Sequence, residues 1–295
     1  MSTPIVIAHR GASAHRPEHT LPAYELAIEL GADFIEPDVV ATRDGHLVAR
    51  HENEISGTTD VAERPEFADR RTVKEVDGVR KKGWFTEDLT LEELRTLRAR
   101  ERLPELRSTG FDGRFAIPTL DEVIALAARA GVGVYPETKH PSYFAALGLA
   151  LERPLLAALE GFRGTVYIQS FEAGNLRALR ELTDHPLVRL TVGAAPDVAE
   201  IAAYAAAIGP HKDQVIPRAQ DGRLGEPTSL VADAHAAGLL VHPWTFRPEP
   251  AFTPTGTSAH EELSYFLALG VDGLFADDPG AARRAIDHRG VDRSG

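Results

Sequence analysis

The sequence predicts an α/β fold, a TIM (β/α)8 barrel with a small inserted segment after the hairpin of its second strand. Two observations lead there. Eight short β-rich runs alternate with helical runs along the chain, the pattern of parallel strands joined by crossover helices. On the second and third of these runs, charged residues and apolar bulk alternate with period two, so each falls on its own face of the strand.

The elements follow in order. Residues 4–8 form a β-rich run that ends at His9-Arg10-Gly11. Thr20 precedes an apolar stretch of helical period over 21–30, and Gly31 closes it as a C-terminal cap. Residues 34–40 read as the second strand. Asp44-Gly45 signals a hairpin, and 47–49 return antiparallel after it, outside the count of parallel strands. Residues 52–117 are charged and irregular, with Arg70-Arg71, Lys81-Lys82 and a basic cluster from Arg98 to Arg107. Within them Thr90-Leu91-Glu92-Glu93 is a capping box ahead of a short helix. This stretch reads either as an insertion over one face of the barrel or as a solvated connection without function. A second capping box, Thr119-Leu120-Asp121-Glu122, opens a helix to about Ala130. Strand runs then come at 132–137, 165–169, 187–192, 214–217, 239–244 and 272–276. Helical runs lie near 142–160, 172–183, 197–207, 228–237, 261–269 and 279–286. Residues 1–295 are thus expected to form one barrel domain with an insertion at about 52–117.

Composition narrows the class. Hydrophobic residues at 43% and charged residues at 26% exclude a disordered chain. A chain of 295 residues can bury roughly three quarters of its unfolded surface. No apolar run approaches the roughly 18 residues of a membrane span. The formal charge is −12, from 44 acids against 32 bases, the opposite sign to a general nucleic-acid binder. Such a protein must concentrate positive charge locally to handle a phosphate. The absence of cysteine rules out disulfides, thiolate zinc sites and cysteine nucleophiles, while 12 histidines leave imidazole chemistry available. The opening MSTPIVIAHRG has no basic region followed by an apolar core. The chain as given therefore reads as cytoplasmic, or as periplasmic or secreted if a leader was removed.

Function in such a barrel sits at the C-terminal ends of the strands. On the second strand Phe34, Glu36 and Asp38 share one face, and Ile35, Pro37 and Val39 the other. On the third, Gly133, Tyr135 and Glu137 share a face, with Lys139 following in the same parity. His9 ends the first strand and His51 ends the hairpin return. Independent strands so bring two histidines, three carboxylates, an arginine and a lysine to one rim. Three converging carboxylates repel and need a cation or raised pKa values. An all-oxygen set favours a hard divalent metal, Ca²⁺ or Mg²⁺, completed by water and substrate oxygens. Arg10 and Lys139 lie beside the set, and a guanidinium fork matches phosphate oxygens. The two histidines suit general acid and base roles. The chemistry indicated is phosphoryl transfer or phosphodiester hydrolysis. Each residue alone has a plainer reading: a solvated Glu-x-Asp edge, a strand-end turn at Arg10-Gly11, a surface lysine. The combination across strands carries the functional one. His15, His19, His46, His185, His211, His235, His260 and His288 remain unassigned.

These residues resemble the glycerophosphodiester phosphodiesterase family. The resemblance rests on His9-Arg10-Gly11-Ala12, Pro17-Glu18-His19-Thr20, Gly31-Ala32-Asp33 with Glu36-x-Asp38, Thr42-x-Asp44-Gly45 and His51. Pro136-Glu137-x-Lys139 with Pro141, and the run from Gly270 to Asp277, resemble later blocks. It spans about residues 5 to 285. The Pro-Glu-His-Thr form, Thr59-Asp60-Val61-Ala62 and the insertion lean towards the bacterial periplasmic-type branch. The resemblance implies a TIM barrel that hydrolyses glycerophosphodiesters, such as glycerophosphocholine or glycerophosphoethanolamine, to glycerol 3-phosphate and an alcohol. By position it makes Glu36, Asp38 and Glu137 the ligands of one divalent ion, Ca²⁺ or Mg²⁺ with Mn²⁺ as a third candidate. It makes His9 and His51 the acid/base pair, and Arg10 and Lys139 the cations that touch phosphate. Trp244, Phe246 and Arg247 match an aromatic-rich stretch that walls the glycerol pocket, with core packing the alternative for the two aromatics. Gln169 ends the fourth strand and is a weaker candidate for the substrate site.

The sequence departs from the family pattern at two positions beside His51. Glu52 stands where Asp is common, and Gly57 where Arg is usual, which puts the local loop geometry and the headgroup choice in question. Pro37, between two ligands, faces outward, where a missing N–H is tolerated. Two routes stay open: attack by the substrate's glycerol 2-hydroxyl through a cyclic phosphate, or by water in one step. Three other readings also stay open: a lysophospholipase-D-like enzyme on the same site, a non-catalytic module that binds glycerophosphodiesters, and a barrel using a transition metal for another hydrolysis. The partner expected is a small molecule, with no nucleic acid and no membrane span; the oligomeric state is not read from the sequence.

Overall fold

The structure, a computed structural model, describes residues 3–292, with side chains to residue 288. Strand β1 (Ile5–His9) turns through the loop 10–20 into α1 (Leu21–Glu29). Thr20 caps α1 by accepting the Ala23 N–H at 3.3 Å. The second barrel strand is divided at Pro37 into β2 (Phe34–Glu36) and β3 (Asp38–Ala41). Proline lacks a ladder N–H, but the Pro37 carbonyl still accepts from the Glu137 N–H at 2.9 Å. Strand β4 (Leu47–Ala49) returns antiparallel, Val40 opposite Val48.

The segment between β4 and the third barrel strand is structured. It holds the hairpin β5 (Thr72–Val76) and β6 (Val79–Gly83), turned by Asp77-Gly78 at φ 50° and 75°, as a two-residue hairpin turn requires. A short helix α2 (Leu91–Arg95) begins at the expected capping box, and the basic run 98–107 follows. Helix α3 (Leu120–Ala130) starts at the second capping box and stops at Gly131 in the left-handed conformation.

The third barrel strand is split like the second, into β7 (Gly133–Val134) and β8 (Glu137–Thr138). After it come α4 (Pro141–Ala146), α5 (Glu152–Leu159), β9 (Ile168–Ser170), α6 (Ala173–Arg180), β10 (Leu187–Thr191), α7 (Val198–Ala202) and β11 (Ala207–Pro210). The chain ends with α8 (Lys212–Val215), α9 (Leu230–Ala236), β12 (Leu240–Val241), α10 (Ala259–Ala268), β13 (Gly273–Ala276) and α11 (Pro279–Asp292). Parallel pairing runs from β13 through β1, β2–β3, β7–β8, β9, β10 and β11 to β12. Backbone bonds link the last strand back to the segment after β12: Asp272 N–H to Val241 O (2.9 Å), Phe275 N–H to Pro243 O (3.1 Å) and Phe246 N–H to Phe275 O (2.8 Å). The architecture is the TIM barrel that the alternation predicts.

One strand lies elsewhere than expected. Residues 214–217 do not form the sixth strand; α8 covers 212–215, and the sixth strand is β11, at the end of the run expected to be helical. The reason is packing. Ala207 and Gly209 face the barrel interior, where a Cβ on Gly209 would lie 2.6 Å from a Leu190 methyl. Small residues required by close approach carry no β propensity, so this strand resembles an alanine-rich helix in sequence.

Side chains sort by parity. Val6, Ala8, Ile35, Val134, Ile168, Ile208 and Leu274 face the helices in one large core. Ile7, Phe34, Tyr135, Val188, Ala207 and Phe275 fill the barrel interior. Tyr135 meets Phe275 edge-on at 5.0 Å, and its hydroxyl hydrogen-bonds Nδ1 of buried His242 at 2.7 Å.

Burial pushes the His242 imidazole down to about 4. The unfolded chain takes up this proton near pH 6.5, the folded chain only near 4. Stability is therefore complete above about pH 6.5 and falls as the pH drops to 4, by about 3 kcal/mol for this group. In urea denaturation at pH 7.5 and 4.5, His242→Gln should lose less stability on acidification than the parent, by about 2–3 kcal/mol. An unchanged acid loss in the variant would contradict the assignment.

Candidate active site

The inward parity that fills the barrel continues to its C-terminal rim and changes there from apolar to charged. The rim opens into a cavity of about 330 Å³. Charged and polar walls come from His9, Arg10, Glu36, His51, Glu137, Lys139, Gln169 and Arg247. Apolar ones come from Phe171, Leu190, Trp244 and Phe275. The entry loop is built for this. Arg10 adopts φ 62° and Gly11 φ 87°, and a Cβ on Gly11 would sit 2.8 Å from the Ala23 backbone. That turn aims the Arg10 N–H at Glu36 Oε2, 2.7 Å away.

Glu36, Asp38 and Glu137 are buried, and each offers an oxygen within 4.8 Å of the others. Strand register brings them together: His9 stands opposite Glu36, Asp38 opposite Glu137, and Glu137 opposite Gln169. The Gln169 amide donates to Glu36 Oε1 at 3.0 Å. Asp38 Oδ2 takes His19 Nε2 at 2.9 Å and pairs with Arg10 Nε at 3.3 Å. Lys139 Nζ donates to Glu137 Oε1 at 2.7 Å. Burial, then the charges of Asp38 and Glu137, push Glu36 well above the carboxylate range. Burial pushes Glu137 up to about 8 against the pull of Lys139. Burial acts on Asp38 too, but Lys139 and the His19 hydrogen bond hold it well below its ordinary value. Asp38 Oδ1 is buried with no hydrogen-bond partner. Three hard oxygen donors, mutual repulsion and a buried oxygen with no hydrogen-bond partner fit a divalent cation.

The two histidines are mounted alike. His9 Nδ1 lies 2.6 Å from Asp277 Oδ1, and His51 Nδ1 lies 2.7 Å from Glu52 Oε1. Both carboxylates are held below their ordinary range despite burial, Asp277 by His9 and Arg107, Glu52 by His51 and Arg102. An ionised carboxylate only accepts, so each Nδ1 carries the proton and each Nε2 is left as the basic nitrogen. Burial, then the charge of Arg10, holds His9 down to about 4. Burial, Arg10 and Lys139 hold His51 down to about 3. Both rings are neutral at pH 7.

The expected residues converge with one exception. Phe246 lies outside the cavity. It packs edge-on against Phe266 at 4.9 Å in the outer core, because Thr245 and Arg247 on either side of it line the cavity instead. Gln169 reaches the site and holds Glu36. Glu52, the departure, is the carboxylate partner of His51. Gly57 is exposed, and a Cβ there would meet nothing within 4 Å, so that departure lies outside the site's packing. Sequence reasoning left His19 unassigned and gave no role to Asp277, Arg102 or Arg107. Asp277 carried a signal of parity, being the next inward residue after Gly273 and Phe275, and His19 stood in the Pro17-Glu18-His19-Thr20 block without a role.

Fold and site together define a barrel hydrolase with a histidine pair and an acidic cluster around one cavity. The model of the glycerophosphoryl diester phosphodiesterase family matches residues 9–281, and the chain belongs to that family. A glycerophosphodiester phosphodiesterase of Arabidopsis thaliana is 39% identical, over 95% of this chain and 85% of that protein. A probable glycerophosphodiester phosphodiesterase of Mycobacterium tuberculosis is 30% identical, over 96% and 93%. Two solved structures share the fold. One is a putative glycerophosphoryl diester phosphodiesterase of Silicibacter pomeroyi (TM-score 0.74, 23% identity, 98% of this chain and 95% of that one). The other is an Oleispira antarctica phosphodiesterase in complex with the product sn-glycerol-3-phosphate (TM-score 0.72, 23% identity, 97% of each chain). Among the described residues, no helix is long and apolar enough to cross a membrane.

A ligand that binds only the folded state stabilises it by mass action, about 2.7 kcal/mol at a hundred times Kd. Ca²⁺ or Mg²⁺ should therefore raise the melting temperature of the EDTA-treated protein, and Asp38→Asn or Glu137→Gln should abolish most of that rise. Equal shifts in parent and variants would place the ion elsewhere.

Proposed function

We propose that the chain hydrolyses glycerophosphodiesters to glycerol 3-phosphate and an alcohol, acting as one catalytic unit in which segment 52–117 borders the barrel mouth. One observation carries this reading. Two imidazoles, each with Nδ1 tied to a carboxylate, share a 330 Å³ cavity with Arg10, Lys139 and the acidic cluster. Membership of the family and the product bound by the Oleispira antarctica neighbour support the substrate class.

Glu36, Asp38 and Glu137 would hold one divalent ion, Ca²⁺ or Mg²⁺ with Mn²⁺ as a third candidate. Such an ion, when bound, supplies Lewis acidity to phosphate oxygens. Arg10 and Lys139 place positive charge where negative charge grows on the phosphoryl group. One Nε2, of His9 or His51, takes the proton of the nucleophile, and the other returns a proton to the departing oxygen. Two neutral rings have the base ready. An anionic phosphodiester beside them raises their proton affinity, which the acid role requires. Trp244, Phe171 and Leu190 form the apolar wall for the carbon skeleton, and Arg247 stands beside Asp277 at the same wall.

The test is release of glycerol 3-phosphate from glycerophosphocholine by EDTA-treated enzyme, with Ca²⁺, Mg²⁺ or Mn²⁺ added back. One of the ions should restore turnover, and His9→Asn or His51→Asn should slow it about 10²–10⁴-fold. Turnover by both variants at the parent rate would overturn the assignment. A diester lacking the 2-hydroxyl resists the cyclic route and is cleaved by direct water attack.

A further inference from the structure

We infer that Arg102 and Arg107, from the basic run 98–107, are positioning residues for the two histidines. On this view the inserted segment orients an acid–base pair to which it contributes no ring. The inference rests on the proposed roles of His9 and His51.

Both arginines act on the carboxylate behind a histidine. Arg102 grips Glu52 through Nη1 to Oε1 at 3.0 Å and Nη2 to Oε2 at 2.7 Å, while Glu52 Oε1 meets His51 Nδ1. The same guanidinium forks onto Glu18 at 2.8 and 2.6 Å, and Glu18 in turn holds Arg10 Nη1 at 2.9 Å. On the other side Arg107 Nη2 donates to Asp277 Oδ2 at 2.6 Å, leaving Oδ1 to His9 Nδ1. Arg107 is itself fixed by Glu249 at 2.5 Å and by the Ser13 carbonyl at 2.8 Å. Arg247 also faces Asp277, its Nε 3.1 Å from Oδ2.

The geometry has a chemical consequence. A carboxylate with one oxygen free can rotate or take up a proton, and the ring behind it can then turn or change tautomer. A guanidinium on the second oxygen removes both freedoms. The Nδ1–H then stays on the carboxylate side and Nε2 stays basic towards the cavity. The run that delivers both arginines is itself anchored. The Arg98 N–H donates to Asp60 Oδ1 at 2.7 Å, the Arg100 N–H to Thr58 O at 2.9 Å and the Glu101 N–H to Asp112 Oδ1 at 2.8 Å.

A tether that merely pinned the segment to the barrel would use the same ion pairs, so the experiment reads the histidines themselves. The Nδ1 protons should give downfield proton NMR signals, assigned by their loss in His9→Asn and His51→Asn. Arg107→Met should shift or abolish the His9 signal and spare that of His51, and Arg102→Met the reverse. Both should lower kcat about 10–100-fold with the metal-induced melting shift retained, and Arg107→Met should leave KM within about two-fold. Arg102→Lys and Arg107→Lys, which keep the charge but not the fork, should fall between and provide folded proteins if the Met variants do not fold. Unchanged signals and kcat in the Met variants, or in the Lys variants where only those fold, would overturn the inference, as would loss of both signals in either variant. If the two Asn variants keep full turnover, the acid–base reading fails separately, and the signals still report whether each arginine holds its ring.

Discussion

The barrel mouth is organised by the repulsion of three carboxylates buried within 4.8 Å of one another. Every charged residue around them answers that repulsion in turn. Arg10 and Lys139 lie against Asp38 and Glu137, and Arg10 needs Glu18 because it too is buried. Glu18 calls for Arg102, Arg102 takes Glu52, and Glu52 ends at His51. A second chain runs from His9 through Asp277 to Arg107, Arg247 and Glu249. These ion-paired chains, with Glu36 included, hold seven carboxylates (Glu18, Glu36, Asp38, Glu52, Glu137, Glu249, Asp277) and five cations (Arg10, Arg102, Arg107, Lys139, Arg247). Carboxylates outnumber cations in this set, an excess that a divalent cation would offset. Glu36 and Glu137 are the two carboxyls of this set pushed upward. Buried Arg50 stands behind this network, donates to the carbonyls of Ala49, Thr58, Glu18 and His19, and places a further positive charge near Glu18 and Glu52.

What the sequence revealed was what strand parity encodes. Glu36, Asp38, Glu137 and Lys139 follow from alternation along single strands, and His9 and His51 from where strands end. Alternation failed where the backbone leaves the regular strand. Trp244 and Phe246 share a parity, yet only Trp244 reaches the cavity. It also failed at β11, where Ala207 and Gly209 were selected for smallness. The arginines of the inserted run were beyond any local pattern, because Arg102 meets residues 84 and 50 positions away and Arg107 meets Asp277 across 170. The role of His19 stayed unassigned for a related reason. A single histidine in a loop carries no sign that its Nε2 meets Asp38 and its Nδ1 a tyrosine hydroxyl.

The Glu52 departure illustrates how side-chain length substitutes for backbone placement. Glu52 directly follows His51, so its carboxylate must reach back to the neighbouring ring and forward to Arg102. The glutamate side chain makes that span, with its hydrogen bond to His51 at 2.7 Å. The chemistry at Nδ1 is thus the same as at His9, whose partner Asp277 arrives from another strand.

This difference in reach explains how the site is divided between barrel and loops. Carboxylate side chains are short, so bringing Glu36, Asp38 and Glu137 within 4.8 Å requires strands 4.7–4.9 Å apart in fixed register. Only the barrel provides that, through the pairings of Asp38 with Glu137 and of Glu137 with Gln169. Arginine and lysine carry their charge on long flexible stems, so their backbones tolerate looser placement. Arg10 and Lys139 stand just past strand ends, while Arg102, Arg107 and Arg247 come from loops and the inserted segment. The negative set is therefore a property of the fold, and the positive set around it is a property of the connections. Changes in the connections can alter the ion pairs behind His9 and His51 while the acidic cluster stays where the strand register puts it.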